Sequence, residues 1–348
     1  MTRPHRTLAD DLRDAIAPRT VALVAGVLLL QLGFILSYVG AFHAPKPHRV
    51  PIAVVPTQPP TIVGLLNALP GNPLRAHVAP DEAAARKEIA DGSASAALIL
   101  GQKQRLLVAS GGGTSVVTAV EQVIKAVEAL PPNREGPSLR NVGVEDVLPL
   151  QPGDGRGLTG FYLVIGWIVG GYLMAALLGV AKGARPATLR RAMIRLGSVV
   201  PYAIVSGLGG ALIVDQLLGA LTGHWFALWW LGALTVFGAA AVTMAFEILF
   251  GVLGIGITVL VFVVLGNPSA GGAYQTSLLP PFWRAISGAL PNGAATDTVR
   301  RIVYFGGHGI GMHLLVLALY AGVGAAVTIA AAAALRRRHS APLPGQAG

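Results

Sequence analysis

The sequence contains no cysteine and few charged residues. Among its 348 residues the absence of cysteine excludes a disulfide-built secreted domain, a Cys-ligated metal centre and thiol chemistry. Charged residues make up 12% of the chain, against about 25% in an average soluble domain. Hydrophobic residues make up 53%, which excludes a disordered chain. An ordinary cytosolic enzyme is therefore not expected.

Acidic residues are scarce in the second half of the chain. After Asp154 they are Asp215, Glu247 and Asp297. The basic residues of the second half occur in clusters, and long apolar stretches separate these clusters. A bilayer core about 30 Å thick needs about 20 apolar helical residues to cross it. Each apolar stretch is therefore a candidate membrane span.

Six spans are predicted, and the fourth and fifth are almost continuous. We place the break between these two at Glu247, because Gly251 follows and the whole run is too long for one helix. One long span is the alternative, and it would reverse the side of everything after it. The first span is longer than the apolar part of a signal peptide, so a retained anchor is expected. The predicted spans are 20–42, 158–181, 196–220, 226–246, 248–266 and 310–335.

The basic clusters predict the orientation of these spans. With six spans, all three clusters fall on one side, which the positive-inside rule assigns to the cytoplasm. We therefore expect a multi-pass protein of the cell (plasma) membrane with cytoplasmic N- and C-termini. The formal charge of +10 then orients the chain against anionic lipid and does not indicate a nucleic-acid partner. The clusters are Arg3, Arg6, Arg13 and Arg19; Lys182, Arg185, Arg190, Arg191 and Arg195; and Arg336, Arg337 and Arg338.

Residues 43–157 are predicted to form a small α+β extracytoplasmic domain. They carry 11 Lys and Arg against 10 acids, which is a balanced and soluble composition. Strands and helices alternate in no simple order, as in α+β domains. The expected strands are 51–57, 75–79, 95–100 and 105–110, and the expected helices are 80–92 and 114–130.

No catalytic residue, metal site or cofactor is predicted for this domain. Glycines 111–113 precede a helix as in a phosphate loop, but the G-x-x-x-x-G-K-[ST] pattern is missing. A turn followed by a helix N-cap is the expected structure there. The acids show no pairing suited to hydrolysis, and His43, His48 and His77 are scattered.

Three segments beside the spans have features of their own. Residues 1–19 predict a cytoplasmic amphipathic helix, with a frayed polar terminus as the alternative. Residues 267–309 are too apolar for a free loop and too rich in proline and glycine for a span, so a re-entrant or interfacial helical hairpin is expected on the outer face. Residues 336–348 form a predicted cytoplasmic tail. A tryptophan group suits either an interfacial belt or apolar packing: Trp225, Trp229 and Trp230.

One N-terminal span, an outer domain and five further spans resemble the ABC-2-type transporter permeases. Within that family the chain is similar to the phage-infection-protein-like group. Residues 81–100 resemble that group's outer-domain helix and strand, and residues 265–307 resemble its signature before the last span. The outer domain is far smaller than in the long coiled-coil members, so a surface stalk is not expected. The signature residues are Asn267, Pro268, Gly271, Pro280, Trp283, Pro291 and Arg300.

This resemblance implies a membrane permease subunit of an ATP-driven exporter of amphipathic or lipid-like compounds. Such permeases form homodimers in the lipid bilayer and use a separate ABC ATPase, and this chain has no Walker motif. The alternative is a non-transporting scaffold for secretion or cell-envelope assembly. The candidate ATPase-coupling surface is Lys182, Arg185, Arg190, Arg191 and Arg195, although these bases equally suit a topology determinant on lipid phosphates.

The three acids of the second half are the candidate gating or coupling residues, because ionisable groups at membrane depth are costly and often functional. Glu247 is the leading candidate among them. For both Glu247 and Asp215 the alternative is a position at the membrane interface, where the side chain caps a helix or pairs with an arginine. For Asp297 it is a local ion pair with Arg300 and Arg301, which follow at helical spacing.

Overall fold

The computed structural model describes residues 18–56, 61–130, 139–183 and 188–339. The predicted amphipathic helix at 1–19, Arg185 and most of the predicted tail therefore lie outside the described residues. In chain order the α-helices are α1 (Pro18–Phe42), α2 (Thr61–Asn67), α3 (Glu82–Ala90), α4 (Thr114–Glu128), α5 (Thr159–Lys182), α6 (Leu189–Leu212), α7 (Trp225–Phe250), α8 (Leu253–Val259), α9 (Gly266–Ser269), α10 (Pro281–Ser287), α11 (Pro291–Tyr304) and α12 (Gly311–His339). The strands are β1 (Val50–Val55), β2 (Leu74–Val78), β3 (Ala96–Ile99), β4 (Arg105–Val108) and β5 (Gly143–Asp146).

Five helices of the described chain are long and apolar enough to cross a membrane. A mostly helical polytopic membrane protein with a small sheet is therefore the fold class. The apolar segments are Val24–Phe42, Thr159–Ala181, Leu189–Leu217, Trp225–Phe250 and Gly311–Ala334.

The fifth predicted span, 248–266, has only a shorter counterpart, Leu253–Ser269. At 1.5 Å per residue its 17 residues extend about 26 Å, which is less than the hydrocarbon core. The predicted break at Glu247 is also misplaced, because α7 continues through that residue to Phe250. The chain then turns at Gly251, whose φ of +64° suits glycine. Six spans therefore remain a prediction.

Helix α7 is the centre of the bundle. Its apolar segment is 72% buried, against 11% for that of α1. Neighbouring helices approach it through glycines: a Cβ added at Gly171 of α5 would lie 2.5 Å from the Val236 carbonyl oxygen, and one at Gly207 of α6 would lie 2.5 Å from the Trp229 carbonyl oxygen. Small residues at such contacts let helix backbones approach closely in membranes.

The extramembrane part contains one five-stranded sheet in the order β2-β1-β3-β4-β5. Strand β1 pairs in parallel with β2 and β3, β4 runs antiparallel to β3, and β5 runs parallel to β4. Helices α2 and α4 pack on one face through Leu66 and Ile124, and α3 packs on the other through Ile89. The predicted strands and helices of this region are present, whereas α2 and β5 were not predicted. We call residues 43–157 the sheet domain.

The predicted hairpin, 267–309, contains two short helices, α10 and α11, and its placement as re-entrant or interfacial stays a prediction. A π-helical turn at Leu260–Leu265 and the short α9 join it to α8. The side chain of Asn292 joins the hairpin to this turn by hydrogen bonds. It is 1% exposed, and its Nδ2 donates to the Phe262 carbonyl oxygen at 2.9 Å and to Asn267 Oδ1 at 2.8 Å. Gly266 leaves room for this side chain, because a Cβ there would lie 2.3 Å from Asn292 Oδ1.

Replacing Asn292→Ala should lower the free energy of unfolding by about 1–3 kcal/mol, because two buried acceptors lose their donor. Thermal unfolding of the purified chain in detergent measures this. The matched control is Gln102→Ala, which removes an exposed amide from a loop of the sheet domain. Equal unfolding midpoints for both variants would contradict the assignment.

An ion-pair network ties α3 to strands β4 and β5. Arg86 donates to Glu82 and to Glu145 at 2.9 and 2.6 Å, and Arg105 also donates to both carboxylates. Hydrogen bonds from Arg86, together with those from Arg105, lower the pKa of Glu82 and Glu145.

This network should make the sheet domain acid-sensitive. Because the folded pKa values lie below the unfolded value of about 4.3, the stabilisation is complete above that value. It is lost as the pH falls through the folded pKa values. Unfolding midpoints of the full chain between pH 7 and pH 3 should therefore depend less on pH in Glu82→Gln/Glu145→Gln, whereas Glu121→Gln should match the parent chain. A double variant with the parental pH dependence would refute this.

Candidate functional site at the junction of the sheet domain and the membrane helices

Glycines 111–113 are the contact surface of the sheet domain with the hairpin. A Cβ added at the first would lie 2.5 Å from the ring of Tyr304, at the second 3.1 Å from the ring of Phe305, and at the third 2.0 Å from the carboxamide of Gln275. Gly111 and Gly113 thus admit hairpin side chains that would overlap any larger residue, and Gly112 allows a close contact with the Phe305 ring. The sequence predicted only a turn here.

The helix that follows these glycines is capped by the hairpin. Gln275 is 9% exposed, and its Oε1 accepts from the backbone N–H of Val116 at 3.2 Å, in the first turn of α4. The Ser115 hydroxyl donates to the Ala273 carbonyl oxygen at 2.8 Å. Free N–H groups at a helix start need such acceptors. Gly113 occupies the N-cap position, and its carbonyl oxygen also accepts from the Val116 N–H at 3.1 Å, so Gln275, more than 150 positions away, supplies a second acceptor.

A buried tyrosine–carboxylate pair lies beside this contact. The hydroxyl of Tyr304 donates to Asp154 Oδ2 at 2.6 Å, and Asp154 Oδ1 accepts from the backbone N–H of Thr159 at 3.0 Å, where α5 begins. Burial and the hydrogen bond to Asp154 raise the pKa of Tyr304 above its usual range, so this hydroxyl remains a donor. The pair links the hairpin, the end of the sheet domain and a membrane helix.

Asp297 forms the local ion pair that was the alternative to a gating role. Arg301 Nε donates to its Oδ2 at 2.7 Å, and Arg300 Nη1 lies 3.5 Å from its Oδ1. Burial opposes ionisation of Asp297, but the two guanidinium groups outweigh it and hold the pKa of this carboxyl below its usual range. Arg300 also donates to the carbonyl oxygen of Gly271 at 2.8 Å, which brings two signature residues together.

A cavity of about 230 Å³ lies between the sheet domain and these arginines. Ser95 and Gly92 line it on the sheet side, and Gln275, Arg300 and Arg301 line it on the hairpin side. It is smaller than the roughly 300–1,000 Å³ of most ligand pockets. No ligand is therefore assigned to this cavity.

The remaining signature residues lie inside the hairpin packing. Trp283 is 9% exposed and packs with Ala41 at the end of α1. The signature is thus a set of packing and hydrogen-bonding positions around α1, α9 and α11. Buried members besides Trp283 are Asn267, Pro268, Gly271 and Pro291, and half-buried members are Pro280 and Arg300.

Glu247 lies at the opposite end of the bundle, which we call the arginine end because α6 begins there with Arg190, Arg191 and Arg195. The carboxyl is 1% exposed, and its Oε1 has no hydrogen-bond partner among the described residues. It faces Gly179 of α5, where a Cβ would lie 2.6 Å from both carboxylate oxygens.

The predicted coupling surface is only partly described. Arg190 and Arg191 are exposed, and Arg195 is half-buried with its Nη2 donating to the Gly183 carbonyl oxygen at 2.7 Å. Nothing is described of the Lys182 side chain or of Arg185. The three described arginines lie at the same end of the bundle as Glu247, but none of them is within ion-pair distance of its carboxyl group.

Asp215 caps α7. It is 6% exposed, and its Oδ2 accepts from the backbone N–H groups of His224 and Trp225 at 3.1 and 3.0 Å. This geometry fits the capping alternative, at the end of the bundle near the sheet domain, which we call the sheet end. Beside the cap, Trp225, Trp229 and Trp230 stack in a row, with centroids 6.1 and 4.9 Å apart.

Comparisons with known proteins add no relative: no family model matches the chain, and neither the curated proteins nor the solved structures include a match.

Replacing Gly111→Ala should loosen the junction, because the new Cβ would overlap the Tyr304 ring. A single Ser95→Cys in this cysteine-free chain reports the opening through its reaction rate with a maleimide. We expect the rate to rise about fivefold, the factor for roughly 1 kcal/mol. Gly101→Ala is the matched control, since nothing lies within 4 Å of a Cβ there. Equal rates in both variants would contradict a sealed junction.

Proposed function

We propose that the chain is the membrane permease subunit of an ABC-2-type exporter of amphipathic or lipid-like compounds, with ATP hydrolysed by a separate subunit. Two observations support this proposal: the five apolar helices of the described chain, and the similarity of residues 265–307 to the signature of that family. The packing contacts of the signature residues explain why these residue types occur there. These contacts neither support nor oppose a transport function.

The observation that carries a transport function is the buried carboxyl of Glu247. A carboxyl at 1% exposure with an unpartnered oxygen costs several kcal/mol in an apolar bundle. A static scaffold gains nothing from this cost, whereas a transporter gains a group whose partners change between states. Glu247 is therefore the proposed coupling residue.

The proposed ATPase-binding surface is the start of α6. Arg190 and Arg191 are exposed there, at the same end of the bundle as Glu247. A subunit bound to this surface would act on α6, which packs closely along α7 and carries Arg195 one turn further along. The helix reaches Asp215, the cap of α7, at the sheet end. Displacement of α6 would thus be transmitted along its length to the sheet domain.

A homodimer belongs to the same proposal. The apolar segments of α1 and α12 are 11% and 22% buried, which leaves wide faces for lipid and for a second copy.

A non-transporting scaffold is the second candidate, and the sealed junction favours it, because glycines 111–113 hold the sheet domain in one fixed position on the hairpin. The transporter requires the carboxyl of Glu247 for coupling, whereas the scaffold does not.

The test is isolation of the full chain from the cells that produce it, in mild detergent, followed by identification of bound proteins. We expect an ABC ATPase to co-purify. In the complex, Glu247→Gln should lower transport-linked ATP hydrolysis by about tenfold, or about 1.4 kcal/mol, with the ATPase still bound. Glu121→Gln, on helix α4 of the sheet domain, should leave the rate unchanged.

Two results together would refute the permease assignment. One is isolation of the chain without any ATPase. The other is unchanged efflux of amphipathic compounds from cells that lack the chain. A scaffold would then remain, and Glu247→Gln would leave its partner binding intact.

A further inference from the structure

A groove of about 530 Å³ lies between α7, α11 and α12 at the sheet end of the bundle. Its walls are almost wholly apolar. Polar groups are confined to one end, which we call the rim, where the ring of His224 and the backbone of residues 306–307 lie. The apolar lining residues are Ala227, Trp230, Leu231, Leu234, Ile302, Ile310 and Leu314.

The groove extends over one half of the bilayer. His224, directly before α7, and Leu234 within it are ten residues apart, which is about 15 Å at 1.5 Å per residue. The hydrocarbon core is about 30 Å thick, so this length equals one leaflet. Ala227 and Leu314 belong to helices that are long and apolar enough to span a membrane, so we expect lipid rather than water around the opening.

The rim lies where the interface of that leaflet is expected. Trp225 and Trp230 are 40% and 48% exposed beside it, as in an interfacial aromatic belt. Gly306 and Gly307 form the turn between α11 and α12 with φ values of +57° and +77°. These left-handed positions favour glycine, and without side chains they leave the rim uncovered.

We propose that this groove binds one acyl chain of a membrane lipid from the leaflet on the sheet-domain side, with the head group at the rim. The polarity of the lining, polar at the rim and apolar below it, matches a lipid and not a helix of a second copy. A second copy has wider apolar faces available on α1 and α12. The inference depends on the chain spanning a membrane and is independent of export.

Photo-crosslinking of the full chain tests the proposal without an ATPase or a transport assay. The chain is reconstituted in phosphatidylethanolamine–phosphatidylglycerol vesicles that contain a phosphatidylcholine with a diazirine-bearing acyl chain. Mass spectrometry should find adducts concentrated on Leu231, Leu234 and Leu314. In Ala227→Phe the new ring fills the groove, and these adducts should fall about tenfold. Ala326→Phe, on an exposed part of α12 outside the groove, should leave them unchanged.

Two outcomes would overturn the inference. In one, adducts at the groove are no more frequent than on other exposed apolar residues, and Ala227→Phe does not reduce them. In the other, a single Ala227→Cys forms disulfide-linked dimers in the same vesicles, which would show a second copy over the groove. If a variant loses transport but keeps the lipid adducts, the result bears on the proposed function and leaves the lipid-binding inference intact.

Discussion

The structure depends on one constraint: backbone polar groups at membrane depth need partners inside the protein. Long helices meet this requirement by themselves, but residues 260–310 do not, because they are interrupted by a π-helical turn and several prolines. Asn292 supplies the missing donor to the Phe262 carbonyl oxygen, and Arg300 supplies one to Gly271. The irregular segment is therefore held against α1, α7 and α12 and becomes a fixed platform for the sheet domain.

The platform explains the unusual composition of the junction. Polar side chains of the hairpin that do not serve its own backbone are directed at the sheet domain, where Gln275 caps α4 and Tyr304 binds Asp154. Glycines 111–113 make this approach possible, since a side chain at Gly111 or Gly113 would overlap the hairpin. Both sides of the contact are thus specialised for each other, and the sheet domain is positioned by the hairpin and by its two chain connections.

Apolar length and periodicity were enough to predict the long helices and most of the sheet. Strand β5 was missed because its sequence, Gly-Val-Glu-Asp, is polar and lies at an exposed edge, where the ion pairs of Glu145 hold it. The break after α7 was placed at Glu247 because the apolar run is too long for one helix and Gly251 follows that residue. The helix continues since the carboxyl is buried against Gly179, and the turn falls at Gly251. The contacts of glycines 111–113 join distant segments, and no local pattern predicts them.

The two ends of the bundle differ in whether their acidic side chains have hydrogen-bond or ion-pair partners. At the sheet end the acids Asp297, Asp154 and Asp215 are paired or serve as caps, although other buried polar atoms there, such as Thr296 Oγ1 and His313 Nδ1, have no hydrogen-bond partner among the described residues. At the arginine end, Glu247 is buried with an unpartnered oxygen. A satisfied network favours one conformation, whereas an unsatisfied buried charge favours any state that offers it a partner. A change of conformation that gives Glu247 a partner would therefore be favoured at the arginine end, whereas the paired acids of the sheet end favour the arrangement they already have.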